Sequence, residues 1–342
     1  MTPILVLGGH GGVPSVARVK LRFAALLLAL GAIGCGSDDG SAGEGPVKIR
    51  MGWGIPAEEI KYVMMHQPEV AKHLGSSYEI EWQEFSGTAL GVQGLAAGTL
   101  DCATVGGLSV ANGLDRGADI VLLGEFIEER SGNFSTAWMV RKDSGITGLD
   151  DLRGKKVATN AVGGSTDYLQ DFHIASEAGL KPGDGYEKVE VPFGQMQETL
   201  LSGRVDMGLF PQPFYGAIDA TGDVKPMFRL NDVIDPFVQL LNGCRRNFVD
   251  EHEEAMGRFQ EDWARIADWT ADPANRDAVV AASAKATKIP ADVLDRFLLT
   301  KDDYYRPPRG EVNVEALQRG WDFFRQQGGI KRELKVTDHL YP

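Results

Sequence analysis

The stretch Val162-Gly163-Gly164-Ser165-Thr166-Asp167-Tyr168 places two glycines and two hydroxyls just ahead of a segment with helical apolar spacing. Unpaired backbone N–H groups at a helix start and the positive end of the helix dipole favour an anion, and hydroxyls add donors. Charge there contributes roughly 0.3–1 kcal/mol, up to about 2 when partly buried. Each hydrogen bond to a charged group adds about 1.5–3 kcal/mol. Several donors therefore suffice for micromolar binding, about −8 kcal/mol, without an arginine. The same residue types recur earlier, as Ser86-Gly87-Thr88 after one alternating segment and Gly106-Gly107 after another. The chemistry they suit is capture of a small acidic group. Read alone, Ser165 is equally a helix cap and the glycines a turn.

Patterns for bond-breaking chemistry do not accompany these residues. The histidines at 66, 73, 173, 252 and 339 form no HExxH or Cys/His cluster. The chain has neither a GxSxG elbow nor a GxxxxGK[ST] phosphate loop. No catalytic set, metal or cofactor is expected.

The elements that must position the donors come in a repeated order. VKIRMGW (47–53) alternates as a strand does, and AEEIKYVMMHQPEVAKHL is helical, bent or broken at Pro68. YEIEWQEF alternates again, a helix follows from SGT, and Gly98 stops it before the strand DCATVGG. KKVATN, the helix from Ser165 to Ala178, EKVEVPF, the helix QMQETLLSG and the strand VDMGLF repeat that plan. Gly98 and Gly203 stop equivalent helices, and Asp101 and Asp206 open equivalent strands. The order predicts two similar parallel α/β lobes, 47–138 and 139–240, with C-terminal helices in 241–342. TAWMVRKDSGI (136–146) and FVQLLNGCRRNFV (237–249) read as two crossings between the lobes, hinging near 137–141 and 239–244. Two lobes that turn the carboxyl ends of their strands toward each other form a ligand cleft. Trp263, Trp269 and Trp321 fall at helical spacing and read as core.

Further candidates stand where strands should open into the cleft. Trp53 and Phe214 read equally as aromatic walls around a ligand and as core. Glu58 and Glu125 are candidates to meet an ammonium group, and Gln212 and Asn242 are neutral hydrogen-bonders near the hinge.

The formal charge is −13, and residues 1–35, with three basic and no acidic residues, leave −16 when removed. So acidic a body is not expected to bind nucleic acid or an anionic membrane through its general field. Those 35 residues read as an export signal: RVKLR, then the 11-residue apolar run FAALLLALGAI, then small residues up to Cys35. The run is too short to span a bilayer, which needs about 20 residues. LGAIGC resembles the bacterial lipobox, with Ala32 where Leu is usual, which implies lipidation of Cys35 and anchoring at the outer face of the membrane. Residues 36–46 then read as a flexible tether. The upstream GGHGG has Pro14 where a dinucleotide-binding fingerprint needs its third glycine, and reads as over-extended translation ahead of Val16 or Val19. Cys102 and Cys244 lie in apolar stretches and read as two small buried hydrophobes rather than a disulfide.

The segment VRKDSGITGLDDLRGKKVATNAVGGSTDYLQ, with the paired LAAGTLD and LLSGRVD, resembles the extracytoplasmic solute-binding proteins of the nitrate/sulfonate/taurine ABC-importer family over about residues 48–330. The resemblance implies the type II periplasmic-binding-protein fold. It also implies a small organic anion or zwitterion as ligand, and a membrane permease with its ATPase as partners. GWGIPAEE and FPQPF depart from the family's usual ligand-contacting elements, so its best-known ligands do not carry over. An enzyme of the same fold acting on a pyrimidine-type vitamin precursor, and a ligand sensor for a membrane receptor, are the competing readings.

Overall fold

The structure, a computed structural model, describes residues 45–54 and 56–342. The expected signal, Cys35 and the tether up to residue 44 lie outside the described residues.

Ten strands form two five-stranded sheets. The strands are β1 (Val47–Trp53), β2 (Tyr78–Glu84), β3 (Cys102–Gly106), β4 (Ile120–Glu129), β5 (Ala137–Arg141), β6 (Lys156–Thr159), β7 (Glu187–Glu190), β8 (Met207–Phe210), β9 (Val224–Arg229) and β10 (Phe237–Arg245). The helices are α1 (Glu59–His66), α2 (Thr88–Ala96), α3 (Gly107–Asp115), α4 (Ser165–Ala178), α5 (Phe193–Leu201), α6 (Phe214–Asp219), α7 (Leu230–Val233), α8 (Arg246–Glu251), α9 (Glu253–Ala271), α10 (Arg276–Thr287), α11 (Ala291–Leu294) and α12 (Val314–Gln326). The sheet orders, β2-β1-β3-β10-β4 and β7-β6-β8-β5-β9, correspond position for position. In each, three parallel strands are followed by two that run antiparallel to their neighbours.

The repeat has a physical basis in its Gly and Asp residues. Gly98 and Gly203 hold φ of +71° and +75°, a left-handed conformation that only glycine adopts without strain, and each ends its helix there. Three residues later, Asp101 Oδ2 accepts the backbone N–H of Arg50 and Asp206 Oδ2 that of Lys156, both at 2.9 Å. Each aspartate thus clips the third strand of its lobe to the first.

The crossings differ from the expected ones. β5 is the fourth strand of the second sheet, and β10 is the fourth strand of the first. Each is a full sheet member, so the turning points are the short stretches 130–136 and 234–236 rather than 137–141 and 239–244. Ser131 N–H bonds Asp235 Oδ1 at 3.0 Å, joining the two stretches. β10 also corrects the cysteine reading: Cys244 lies opposite Cys102 on adjacent strands, and the two form a disulfide. Their apolar surroundings belong to one sheet, and a separation of 142 residues concealed this in the sequence.

α1, α9 and α10 pack together on one face of the first sheet, and α12 crosses the other beside α3. Trp263 and Trp321 are fully buried there, their indole N–H groups bonded to the carbonyls of Gly310 and Gly107. Trp269 is only partly buried. Among the described residues, no helix is long and apolar enough to cross a membrane.

Candidate functional site

A cleft with about 770 Å³ of space between atoms, its open mouth included, is lined by both lobes. The first lobe contributes the end of β1 with Gly52, Trp53 and Gly54, the start of α2 with Ser86, Gly87 and Thr88, and Thr104 of β3. Asn160 after β6, Gly164, Ser165 and Thr166 at the start of α4, and Phe193 at the start of α5 come from the second. Thr136, at one crossing, and Gln239 and Leu240 of β10 close it, and Tyr304 enters from the C-terminal segment. Strand ends and helix starts meet here because parallel strands followed by helices place all their βα junctions on one edge of each sheet.

The starts of α4 and α3 touch. Ser165 Oγ accepts the backbone N–H of Leu108 at 2.9 Å, so a side chain of the second lobe caps α3 of the first. Thr166 Oγ1 donates to Asn160 Oδ1 at 3.1 Å. Gly163 N–H is engaged by Asp167 Oδ2 at 2.9 Å, and Lys188 holds the other oxygen of that carboxylate at 2.6 Å. Part of the anion-attracting field of α4 is therefore already met by Asp167.

Under the opposite end lies a buried ion pair. Lys61, fully buried, donates to Gly52 O at 2.6 Å and Thr104 Oγ1 at 2.7 Å, and its Nζ is 3.7 Å from Glu58 Oε2. Glu58 lines the cleft, is 2% exposed, and takes Gly54 N–H on Oε1 at 3.0 Å. Burial pushes its carboxyl up to about 7 against the pull of Lys61, and pushes the Lys61 ammonium down to about 8.

The sequence candidates divide accordingly. Trp53, Ser86, Gly87, Thr88, Gly164, Ser165 and Thr166 line the cleft. Gly106, Gly107, Gly163, Gln212, Phe214 and Asn242 do not. Gly106 backs the Ser165 contact: a Cβ on it would come within 2.5 Å of Ser165 Oγ. The carbonyl of Gly107 is taken by Trp321. Gln212 faces away, although its N–H bonds Tyr304 Oη at 3.0 Å. Asn242 is fully buried in β10, and neither polar atom of its side chain has a partner among the described residues. Phe214 stacks behind the wall residue Phe193, ring centroids 5.5 Å apart. Glu125 lies away from the cleft, its Oε2 accepting Asn313 N–H at 2.9 Å. Phe193 was accessible in the sequence, since it opens the helix after the second strand of its lobe as Thr88 does in the other. Tyr304, Thr136 and Gln239 lie outside the repeat, and no local pattern marks them. Among the described residues, no three His, Cys, Asp or Glu side chains gather as metal ligands would.

The profile of the NMT1/THI5-like family matches residues 79–275, more than half of the chain. The chain belongs to the NMT1/THI5-like family. Comparison with curated protein sequences gives no match. Among solved structures, this family member is similar to the periplasmic aliphatic sulphonate binding protein SsuA from Escherichia coli, at 21% identity and a TM-score of 0.64, over 86% of this chain and 97% of that one. The periplasmic nitrate-binding protein NrtA from Synechocystis PCC 6803 matches at 13% identity and a TM-score of 0.64, over 86% and 84%. The desulfurization enzyme DSZB matches at 15% identity and 0.59, over 86% and 96%. At these identities the likeness is one of fold, the type II periplasmic-binding-protein fold with its two α/β lobes, and that fold carries both binding proteins and an enzyme.

Proposed function

We propose that the protein is the substrate-binding lipoprotein of an ABC importer, exported, anchored through Cys35, and handing a small organic anion or zwitterion to a membrane permease and its ATPase. One observation carries the reading: a cleft shared by two repeated lobes, with the starts of α2 and α4 both on its wall. The ligand's acidic group is assigned to the side of Ser86, Thr88 and the N–H groups of Ser165 and Thr166, where donors converge. Trp53, Phe85 and Phe193, which line the same cleft, supply apolar contact for the remainder. The similarity to sulphonate- and nitrate-binding proteins supports capture of an anion.

Native mass spectrometry of protein purified without refolding, followed by calorimetry with sulfonates, carboxylates and nitrate, tests capture; failure of all of them to bind sinks it. Detergent partitioning in a lipidating host tests the anchor, with Cys35→Ala expected to stay in the aqueous phase. The enzyme reading rests on the fold shared with DSZB, and turnover of a bound sulfonate would favour it.

A further inference from the structure

Among the described residues that line the cleft, the only charged side chain is that of Glu58. An anion-binding cleft walled by hydroxyls and aromatic rings thus holds a carboxylate and no lining cation. Glu58 is buried, and its Oε2 has no hydrogen-bond partner among the described residues, Lys61 Nζ at 3.7 Å being beyond bonding distance. Gln239, on the same cleft, likewise has a buried, unpartnered Oε1. Both are acceptors, and a buried acceptor short of a donor is costly; the ion pair with Lys61 offsets only part of that cost for Glu58.

We propose that Glu58 is a specificity-determining residue that accepts an uncharged N–H donor, of an aryl amine or amide, at the end of the ligand opposite its acidic group. The assignment rests on the anion-capture reading above and adds a second functional group to the ligand. Its charge state follows from Lys61: the ammonium beside Glu58 already balances the carboxylate, so a second full cation would meet a neutral pair, with little net attraction to offset the loss of its own hydration. An uncharged N–H that reaches Oε2 supplies a donor without that cost. A planar donor also suits the rings of Trp53, Phe85 and Phe193.

The ligand side tests this in the wild-type chain. By calorimetry, 4-aminobenzenesulfonate is expected to bind at least tenfold tighter than benzenesulfonate, and tighter than taurine. Equal affinity for the two aryl sulfonates overturns the role of Glu58 and leaves anion capture standing. Taurine as the tightest of the three overturns it in favour of an ammonium ligand. Binding of none overturns this inference and leaves anion capture to be decided by carboxylates and nitrate. In a Glu58→Ala/Lys61→Met double variant, which removes both charges so that neither is left buried alone, the two aryl sulfonates are expected to bind alike; discrimination that persists in the folded variant overturns the assignment.

Discussion

Ser165 Oγ, on the second lobe, accepts the backbone N–H of Leu108, on the first, at 2.9 Å, with Ser109 N–H at 3.4 Å from the same oxygen. A helix cap is normally local in sequence; here it spans 57 residues and the cleft, so any opening of the lobes would break it. Such a cap contributes about 0.5–2 kcal/mol. Ser165→Ala is therefore expected to weaken ligand binding by about twofold to thirtyfold. Small-angle scattering should show a larger mean radius at subsaturating ligand, and an unchanged radius and affinity would reduce the contact to an incidental one.

Gly87 meets the second lobe in the same way. A Cβ there would lie 2.8 Å from Cβ of Ala161, across the cleft. Its φ of 178° is extended backbone open to any residue, so Gly87→Ala strains nothing within its own lobe. Overpacking costs about 1–3 kcal/mol, and here it falls on the contact between the lobes. Affinity should drop by about tenfold, with a denaturant midpoint within error of wild type. Equal losses in stability and affinity would place the clash inside one lobe.

The repeat made the architecture readable: Gly98 and Gly203 as helix stops, Asp101 and Asp206 as strand openers, and the donors at Ser86–Thr88 and Gly164–Thr166 all follow from periodicity and turn chemistry. Partners distant in sequence did not. Cys102 meets Cys244 only because β10 returns beside β3, and Tyr304 reaches the cleft only because the C-terminal helices fold back over the first lobe. Glu58 stood out as an acid at a strand exit. Its ion pair with Lys61 follows from a spacing of three residues at the start of α1, but the bond from Lys61 to Thr104, on β3, does not.

Glu125 supplies a pH signature independent of ligand. It is fully buried, its Oε1 lacks a partner among the described residues, and burial pushes its carboxyl up to about 8. An acid raised in the folded state binds its proton more tightly there than in the unfolded chain. Its presence therefore favours folding less and less as pH rises from its unfolded value of about 4.3 through about 8. Glu125→Gln keeps the acceptor for Asn313 N–H and removes the titration. Its melting temperature should exceed that of wild type by about 2–4 °C at pH 8, equivalent to ~1 kcal/mol, and match it near pH 5. A parallel offset at both pH values would show that Glu125 does not titrate in this range.

Gly164 tests where the ligand's acidic group rests. It precedes α4 with φ of −73°, which any residue adopts, and a Cβ there would lie 3.8 Å from Thr88 Oγ1 across the cleft and 3.2 Å from Ala161 O. Gly164→Asp places a carboxylate at the proposed anion position, beside a helix start whose field Asp167 already partly satisfies. Gly164→Ala adds the bulk without the charge. Binding of an organic sulfonate should fall at least tenfold in Gly164→Asp, roughly 1.4 kcal/mol, and much less in Gly164→Ala. Because the added charge repels only an anion within a Debye length of about 8 Å, raising the salt should recover part of the loss. Equal loss in both variants would assign the effect to shape, and no loss in either would move the acidic group away from α4.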